Sequence, residues 1–253
     1  MGLVRWLDYR RRLHALALPG GLAFSQKYRR ALDVSQIDLI PAGQIPFLQC
    51  VVDVGANLGE WSIAMAELTK ATQIIAVEPV PEIFQELRAN TRNYPRIRCI
   101  QSAVGEKSGW VTIHVHQLHQ LSSVLRIRDE VRPVHGVQQD IAEPVQVPMT
   151  SLDESLSDIG EVSLLKIDVQ GYEPQVLSGA RSVLKRTKIL MLEVTYSSYY
   201  QGDQQFGEMD RLITKLSPLQ LWGISAPHCS ASRRPLWADA VYVLPEIMES
   251  AYV

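Results

Sequence analysis

From Cys50 onward, strand-length apolar runs alternate with stretches of helical periodicity. CVVDV and QIIAVE are each followed by a helical pattern, near 58–69 and 81–93, and IRCIQSAV is the third strand. SLLKIDV, KILMLEV, LQLWGIS and DAVYVL continue the series, with helices near 173–185 and 204–216. Runs that are apolar throughout indicate a mainly parallel sheet with both faces covered. The last two runs have no helical pattern between them, so we expect an antiparallel hairpin to complete the seven strands.

This alternation is interrupted after the third strand, at about 109–149. WVTIHVH alternates apolar and polar residues, which is typical of a half-exposed strand, and we also expect strands at LSSVLRI and PVQVPMTSL. The first 45 residues lack the strand–helix rhythm altogether. We therefore predict a helical N-terminal extension over 1–45 and one α/β domain over 46–253, with a β excursion inside it.

The composition argues against several classes of function. The 253 residues carry a formal net charge of -2, which does not indicate a nucleic-acid or membrane-surface partner. No run reaches the roughly 18 apolar residues of a membrane span. The basic N-terminus is followed by too short an apolar stretch for a signal peptide, so we expect an amphipathic helix there. Three widely spaced cysteines without a CxxC pair predict free thiols and a cytoplasmic location.

The stretch VVDVGANLGEW lies where the first strand ends and a helix begins. Asp53 is followed by Gly55 and Gly59, with Ala56 and Asn57 between the glycines. A glycine lets the backbone approach a ligand closely, and a helix start favours a negative group. A dinucleotide fingerprint would need a glycine at Asn57, whereas D-x-G-x-x-x-G matches the first motif of S-adenosylmethionine-dependent methyltransferases. A tight strand–helix turn without a ligand is the alternative.

The ends of the second and third strands carry side chains suited to a nucleoside. Glu78 ends the second strand, roughly 20 residues past Gly55, where an acid can accept both hydroxyls of a ribose. Pro79 follows it in the same turn. Ser102 and Ala103 end the third strand, and their small side chains leave room for an adenine ring. An exposed acid at the end of a strand is the alternative for Glu78.

A second motif, LLKIDVQGYEPQVLSGA, spans the fourth strand and the helix after it. Lys166 and Asp168 share one face of the strand, because strand side chains alternate with period two. Asp168 ends this strand beside the first strand, which predicts a position near the methyl-donor end of a cofactor. An ion pair with a neighbouring acid is the alternative for Lys166, and the preference of helix starts for acids is the alternative for Glu173.

Taken in order along the chain, these motifs resemble the FkbM family of methyltransferases over roughly 51–194. The resemblance implies a seven-stranded class I methyltransferase fold, S-adenosyl-L-methionine as cofactor, and methylation of a hydroxyl on a small-molecule or glycan acceptor such as a sugar or a polyketide- or peptide-like natural product. Many relatives have Glu where this chain has Gln170, which excludes a carboxylate role there. The implied cofactor-binding residues are Asp53, Gly55, Ala56, Asn57, Gly59, Glu78, Pro79, Ser102, Ala103 and Asp168.

Methyl transfer to a hydroxyl requires a group that takes up the proton. Besides Asp168, the candidates are His116 and His119, since histidine titrates near neutrality. His114 and His116 share a strand face, which fits either a metal pair or a partly exposed surface. We predict no metal, with a divalent ion held by Asp168 and Glu193 left as the alternative.

We assign the substrate side to Ser122, Ser123, Gln170 and Tyr196. The serines lie in the excursion, and Tyr196 follows the fifth strand. An aromatic ring at that position fits either stacking on a substrate or packing within a loop. Two other functions stay open: a nicotinamide-dependent oxidoreductase on a similar sheet, and a module that binds S-adenosylmethionine without catalysis.

Overall fold

The structure is a computed structural model that describes residues 36–116, 122–128, 143–198, 200–230 and 232–250. Eleven strands are present among these residues. They are β1 Cys50–Val54, β2 Gln73–Val77, β3 Ile97–Ile100, β4 Ala103–Val104, β5 Gly109–Val115, β6 Glu143–Thr150, β7 Val162–Ile167, β8 Thr187–Thr195, β9 Gln220–Ile224, β10 His228–Cys229 and β11 Pro235–Val243.

Eight of the strands form the large sheet, in the order β10–β11–β8–β7–β1–β2–β3, with β9 also paired to β11. The five strands from β8 to β3 run parallel. Strand β11 runs antiparallel to both β8 and β9. The mainly parallel sheet with an antiparallel C-terminal hairpin is therefore confirmed. The short β10, which pairs with the start of β11, is an addition to the predicted strands.

The excursion after the third strand builds a second, three-stranded sheet with the order β4–β6–β5. The strand expected at LSSVLRI was wrong for the described residues 122–128, which make only isolated bridges. The side chain of Ser123 explains this. Its hydroxyl accepts a hydrogen bond from the backbone N–H of Leu125 and donates one to the carbonyl of Gln170, which turns the chain away from an extended pairing.

Seven α-helices flank the sheets among the described residues. They are α1 Glu60–Leu68, α2 Pro81–Thr91, α3 Leu152–Ser155, α4 Glu173–Ser178, α5 Arg181–Lys185, α6 Phe206–Leu216 and α7 Pro245–Ser250. Two 3-10 segments, Ile37–Leu39 and Ala42–Phe47, precede β1. None of the helices in the described ranges is long and apolar enough to cross a membrane.

The single helix expected over 173–185 is divided into α4 and α5 at Gly179. The backbone of Gly179 lies against Gly105, so close that an added Cβ would be 2.1 Å from the Gly105 carbonyl oxygen. Beyond the break, the carboxylate of Asp153 accepts the free N–H groups of Ser182 and Val183. The second half can therefore begin as a separate, capped helix.

The large sheet is covered on both faces, and every residue of β1 is buried. Val52 and Val54 face one apolar cluster, together with residues of α4, α5 and α6, whereas Val51 faces a second cluster with α1. Ile37 and Ile40 pack into this second cluster. The last part of the predicted extension thus packs on the domain, and its first 35 residues lie outside the described part of the chain.

Candidate functional site

A cavity of about 710 Å³ lies at the carboxyl ends of the parallel strands. This is the edge at which open α/β sheets bind their ligands. The predicted site residues that line the cavity come from the turns after β1, β2, β3 and β7, from the start of β4 and from residues 122–124. They are Gly55, Ala56, Asn57, Glu78, Pro79, Ser102, Ala103, Ser122, Ser123, Asp168 and Gln170.

The glycine loop turns sharply between β1 and α1. Gly55 and Gly59 have φ values of +81° and +83°, and Asn57 has +48°, all in the left-handed region. A Cβ on Gly55 would lie 1.9 Å from the carbonyl oxygen of Asp168. The need for glycine thus comes from the contact between this loop and the end of β7. A side chain at this position would meet backbone before it could fill the cavity.

Glu78 ends β2 with its carboxylate held by two backbone amides. Oε2 accepts from the N–H of Asn57 at 3.0 Å and Oε1 from the N–H of Val80 at 2.9 Å. Burial raises the pKa of Glu78 to about 7, against the lowering effect of these amides. Each carboxylate oxygen keeps a lone pair for a further donor. A buried, oriented acceptor at the wall of a cavity fits a pair of hydroxyl groups.

Asp53 lies behind the loop and is not among the residues that line the cavity. Its Oδ1 is 3.3 Å from Nζ of Lys166, and its Oδ2 accepts from Ser62 Oγ at 2.7 Å. Lys166 also lies 3.4 Å from Oδ2 of Asp168. The predicted ion pair of Lys166 is present, and Asp53 supports the site through it.

Lys166 is buried, carries an ammonium group between two carboxylates, and lies 5.6 Å from the centre of the Trp61 ring. Burial lowers the pKa of Lys166, but the charges of Asp53 and Asp168 outweigh it, so the pKa is raised. The residue therefore stays cationic at any physiological pH. It links the first and fourth core strands at the point where both end.

Asp168 and Gln170 form the end of the cavity nearest to residues 122–124. Oδ1 of Asp168 accepts from Nε2 of Gln170 at 2.8 Å, and the side chain is 28% exposed. Ser123 Oγ donates to the Gln170 carbonyl at 2.7 Å. Ser122 Oγ accepts from the backbone N–H of His116 at 3.1 Å. The excursion is thus joined directly to the turn after β7.

Three further site predictions lie away from the cavity, and the first is Gly59, which lies against the side chains of Leu87 and Thr91 on α2. His116 is buried, and its side chain is not among the lining residues. Tyr196 packs its ring 5.9 Å from that of Phe206, also outside the lining. His119 lies outside the described residues. Within the ranges that the structure describes, no histidine lines the cavity and no group of three acidic, histidine or cysteine side chains is arranged for a metal ion.

Glu173 stabilises the turn between β7 and α4. Its Oε1 accepts the N–H groups of Val169 at 2.9 Å and Gly171 at 3.2 Å. Burial raises the pKa of Glu173 to about 7, against the lowering effect of the backbone amides. Of the two interpretations of this acid, the structure supports a local role at the start of α4.

Sequence reasoning did not assign Gln36, Trp61, Val124 and Tyr172, which also line the cavity. Trp61 lies in the first turn of α1, directly after the glycine loop, and that position in the sequence could have identified it. Tyr172 directly follows Gly171 in the turn after β7, and its position could have identified it too. Gln36 belongs to the extension, where no pattern identified it, and its Nε2 donates to Oδ1 of Asp239 at 2.8 Å.

Comparison with known proteins identifies a matching family model and two relatives. A family model described as the methyltransferase FkbM domain matches residues 53–217. The 2-O-methyltransferase NoeI of Sinorhizobium fredii (strain NBRC 101917 / NGR234) is 24% identical over 161 residues, covering 60% of this chain and 65% of NoeI. Methyltransferase 1 of Beauveria bassiana (strain ARSEF 2860) is 28% identical over 142 residues, covering 51% and 57%. The chain thus spans less than two thirds of either relative.

Solved structures show the same fold at low sequence identity. Methyltransferase FkbM from Methylobacillus flagellatus KT has a TM-score of 0.51 and 19% identity, over 76% of this chain and 43% of that one. The fibrillarin pre-rRNA processing protein of Methanococcus jannaschii has a TM-score of 0.50 and 13% identity, over 87% and 76%. At these identities the likeness concerns the fold alone.

Proposed function

Because this chain belongs to the FkbM methyltransferase family, we propose that it transfers the methyl group of S-adenosylmethionine to a hydroxyl oxygen of a sugar or another small natural product. The observation that carries this proposal is the placement of Glu78, the glycine loop and Asp168 around one cavity. The name of NoeI, a 2-O-methyltransferase, supports an oxygen atom as the acceptor.

The lining residues fit the cofactor in both shape and polarity. Glu78 has free lone pairs directed by two amide contacts, so it would accept hydrogen bonds from the ribose hydroxyls. Ala56 and Asn57 would border the cofactor with backbone, because the loop has no bulky side chain there. Ser102 and Ala103 would border the adenine, since both are small and lie at the cavity wall.

When bound, S-adenosylmethionine supplies an electrophilic methyl group on a sulfonium that is already a good leaving group. The protein must align the acceptor oxygen and take its proton. Asp168 is the carboxylate on the acceptor side of the lining, so we assign it the proton of the acceptor hydroxyl. Ser122, Ser123 and Gln170 would border the acceptor itself.

Replacement of Asp168 by Asn tests this assignment. The change keeps the shape of the side chain but removes its charge and its basicity. Turnover with a panel of hydroxylated acceptors should fall by about 10²-fold or more, the scale expected for a lost proton acceptor. Cofactor affinity, measured by calorimetry, should change far less, since Glu78 and the glycine loop remain.

Asp158→Asn is the matched control, because Asp158 forms an exposed ion pair with Arg98 on the surface. It should leave turnover at the wild-type level. Wild-type turnover in Asp168→Asn would remove Asp168 from the reaction. Binding of NAD in place of S-adenosylmethionine would overturn the whole proposal, and cofactor binding without turnover on any acceptor would favour a non-catalytic module.

A further inference from the structure

A short series of hydrogen bonds connects the acceptor end of the cavity with the loop after β8. Tyr200 Oη donates to Oε1 of Gln170 at 2.9 Å, and Nε2 of Gln170 donates to Oδ1 of Asp168 at 2.8 Å. An ionised carboxylate can only accept hydrogen bonds. The amide of Gln170 therefore must direct its nitrogen to Asp168 and its oxygen to Tyr200.

The backbone of Gln170 is held in an uncommon conformation. Its φ is +57°, in the left-handed region, which a non-glycine residue adopts only where its surroundings determine it. Ser123 donates to its carbonyl oxygen at 2.7 Å. The next residue, Gly171, lies against the Tyr200 ring, where a Cβ would be 3.0 Å from a ring carbon. These two contacts fix the backbone of the turn, and the hydrogen bonds with Tyr200 and Asp168 fix the amide side chain.

The charges around Asp168 explain why a neutral donor is useful at this place. The charged or titratable groups that face it or its neighbours are Lys166 on β7, Asp53 on β1, Glu173 on α4, Glu193 on β8, Asp239 on β11, and Tyr200 and Asp203 in the loop after β8. In this set, one cation faces five other carboxylates. Burial, followed by the charges of Asp168, Glu173 and Asp239, raises the pKa of Glu193.

Tyr200 is suited to act as a permanent donor. It is buried, and its ring packs with Ile127 and Leu236. Burial, followed by the charges of nearby carboxylates, raises the pKa of Tyr200, so its hydroxyl keeps its proton at all physiological pH values. A hydroxyl that keeps its proton can donate to Oε1 of Gln170 over this whole pH range, and that contact favours one of the two orientations of the amide.

We propose that Gln170 and Tyr200 are positioning residues for methyl transfer: Tyr200 sets the orientation of the Gln170 amide, and that amide directs the Asp168 carboxylate to the acceptor hydroxyl. The inference rests on the proposed function, since it concerns the same carboxylate. Neither residue takes part in proton transfer. Their effect should therefore appear in kcat, while the affinity for S-adenosylmethionine stays unchanged.

The first test is Tyr200→Phe, which removes the hydroxyl and keeps the ring that packs under Gly171. Without the donor, the amide oxygen loses its partner, and the side chain is free to rotate so that its nitrogen leaves Asp168. We expect kcat to fall about tenfold with cofactor affinity unchanged, the size of one lost hydrogen bond. The control is Tyr94→Phe. It removes a hydroxyl that donates a hydrogen bond to Oε1 of Glu67 at 2.6 Å, a solvent-exposed contact, and it should leave kcat unchanged.

The second test is Gln170→Glu, which keeps the shape and makes the contact with Asp168 depend on pH. A like charge beside Asp168 raises the pKa of the new carboxyl above its ordinary value of about 4.3. Below that raised pKa the protonated group donates to Asp168, as the amide does. Above it, two carboxylates face each other. The ratio of variant to wild-type kcat should therefore fall at least tenfold as pH rises from about 5 to 8.

The melting temperature gives a readout that needs no acceptor. The melting temperature of Gln170→Glu should be close to that of the wild type at about pH 4, below the ordinary glutamate pKa of about 4.3. It should fall relative to the wild type as pH rises from there through the raised pKa of the folded state. Gln220→Glu, at an exposed position of β9, should show no such trend. If the wild type binds no S-adenosylmethionine but Gln170→Glu still loses stability as pH rises, the proposed function fails while the contact between residue 170 and Asp168 is supported. A kcat ratio for Gln170→Glu that does not vary with pH, or unchanged kcat in Tyr200→Phe, would overturn the positioning role.

Discussion

Replacement of Lys166 by Met should destabilise the protein more than any loss of a surface ion pair. Methionine keeps most of the aliphatic length of lysine and its packing beside Trp61, so the main change is the missing charge. Asp53, which has no exposed surface, would keep the hydrogen bond from Ser62 as its only side-chain partner among the described residues. Removing one partner of a buried ion pair costs about 3–5 kcal/mol, because the other charge stays buried without compensation.

This loss is a large fraction of the roughly 5–15 kcal/mol by which a domain is usually stable. At about 2–4 °C per kcal/mol for a chain of this size, the melting temperature should fall by roughly 10 °C. The assay is thermal and urea unfolding of the two proteins at pH 7. The double variant Asp53→Asn with Lys166→Met should lose less than the sum of the single variants, because the remaining side chain is then neutral.

The matched control is Lys188→Met, which removes the cation from an exposed pair with Glu161 at 2.7 Å. Exposed pairs contribute about 0–1 kcal/mol, so this variant should unfold close to the wild type. If Lys166→Met and Lys188→Met lose the same stability, Asp53 is not held as a buried anion, and the electrostatic account of the site is wrong.

Two further predictions concern the cofactor. Affinity for S-adenosylmethionine should rise with pH up to about 7 and then level off. The reason is that ribose hydroxyls donate to the ionised form of Glu78, whose pKa is raised to about 7. Below pH 7 we expect affinity to fall roughly tenfold for each pH unit. Calorimetry between pH 5.5 and 8.5 measures this, and a profile in Glu78→Gln that still depends on pH would assign the titration to another group. Gly55→Ala should lower both the melting temperature and cofactor affinity, since its Cβ would lie 1.9 Å from the Asp168 carbonyl oxygen. Gly160→Ala, with no atom within 4 Å of its Cβ, is the control, and equal behaviour of the two variants would contradict the close approach.

The ends of β1, β2 and β7 were predictable from the sequence, and so was the position of Glu78. The predicted third strand is divided instead: β3 ends at Ile100, and Ala103–Val104 forms β4 of the small sheet. An apolar run followed by an acid and a glycine marks where a buried strand stops, and parallel strands bring such ends together. The direction of a side chain at that end was harder to predict. Val54 lines the cavity, whereas Asp53 faces α1 and Lys166, because neighbouring residues of a strand point to opposite faces.

Contacts between distant segments left no pattern in the sequence. Tyr200 and Gln170 are 30 residues apart, and Ser123 and Gln170 are 47 apart. Their hydrogen bonds depend on how the excursion and the loop after β8 fold onto one turn. His116 illustrates the same point. The alternating pattern predicted which strand face it shares with His114, but it did not predict on which side of the small sheet the cavity lies.

The pairing of β1 has a consequence for the synthesis of the chain. Strand β1 is central and wholly buried, and it pairs with β2 on one edge and with β7 on the other. Asp53 and Lys166, which are partners across the second edge, are 113 residues apart. At about 5–20 residues per second, a ribosome needs on the order of ten seconds to make that interval. During this time the nascent β1–α1–β2 unit has an apolar strand with an open edge, a surface that favours aggregation unless a chaperone or the following segment covers it.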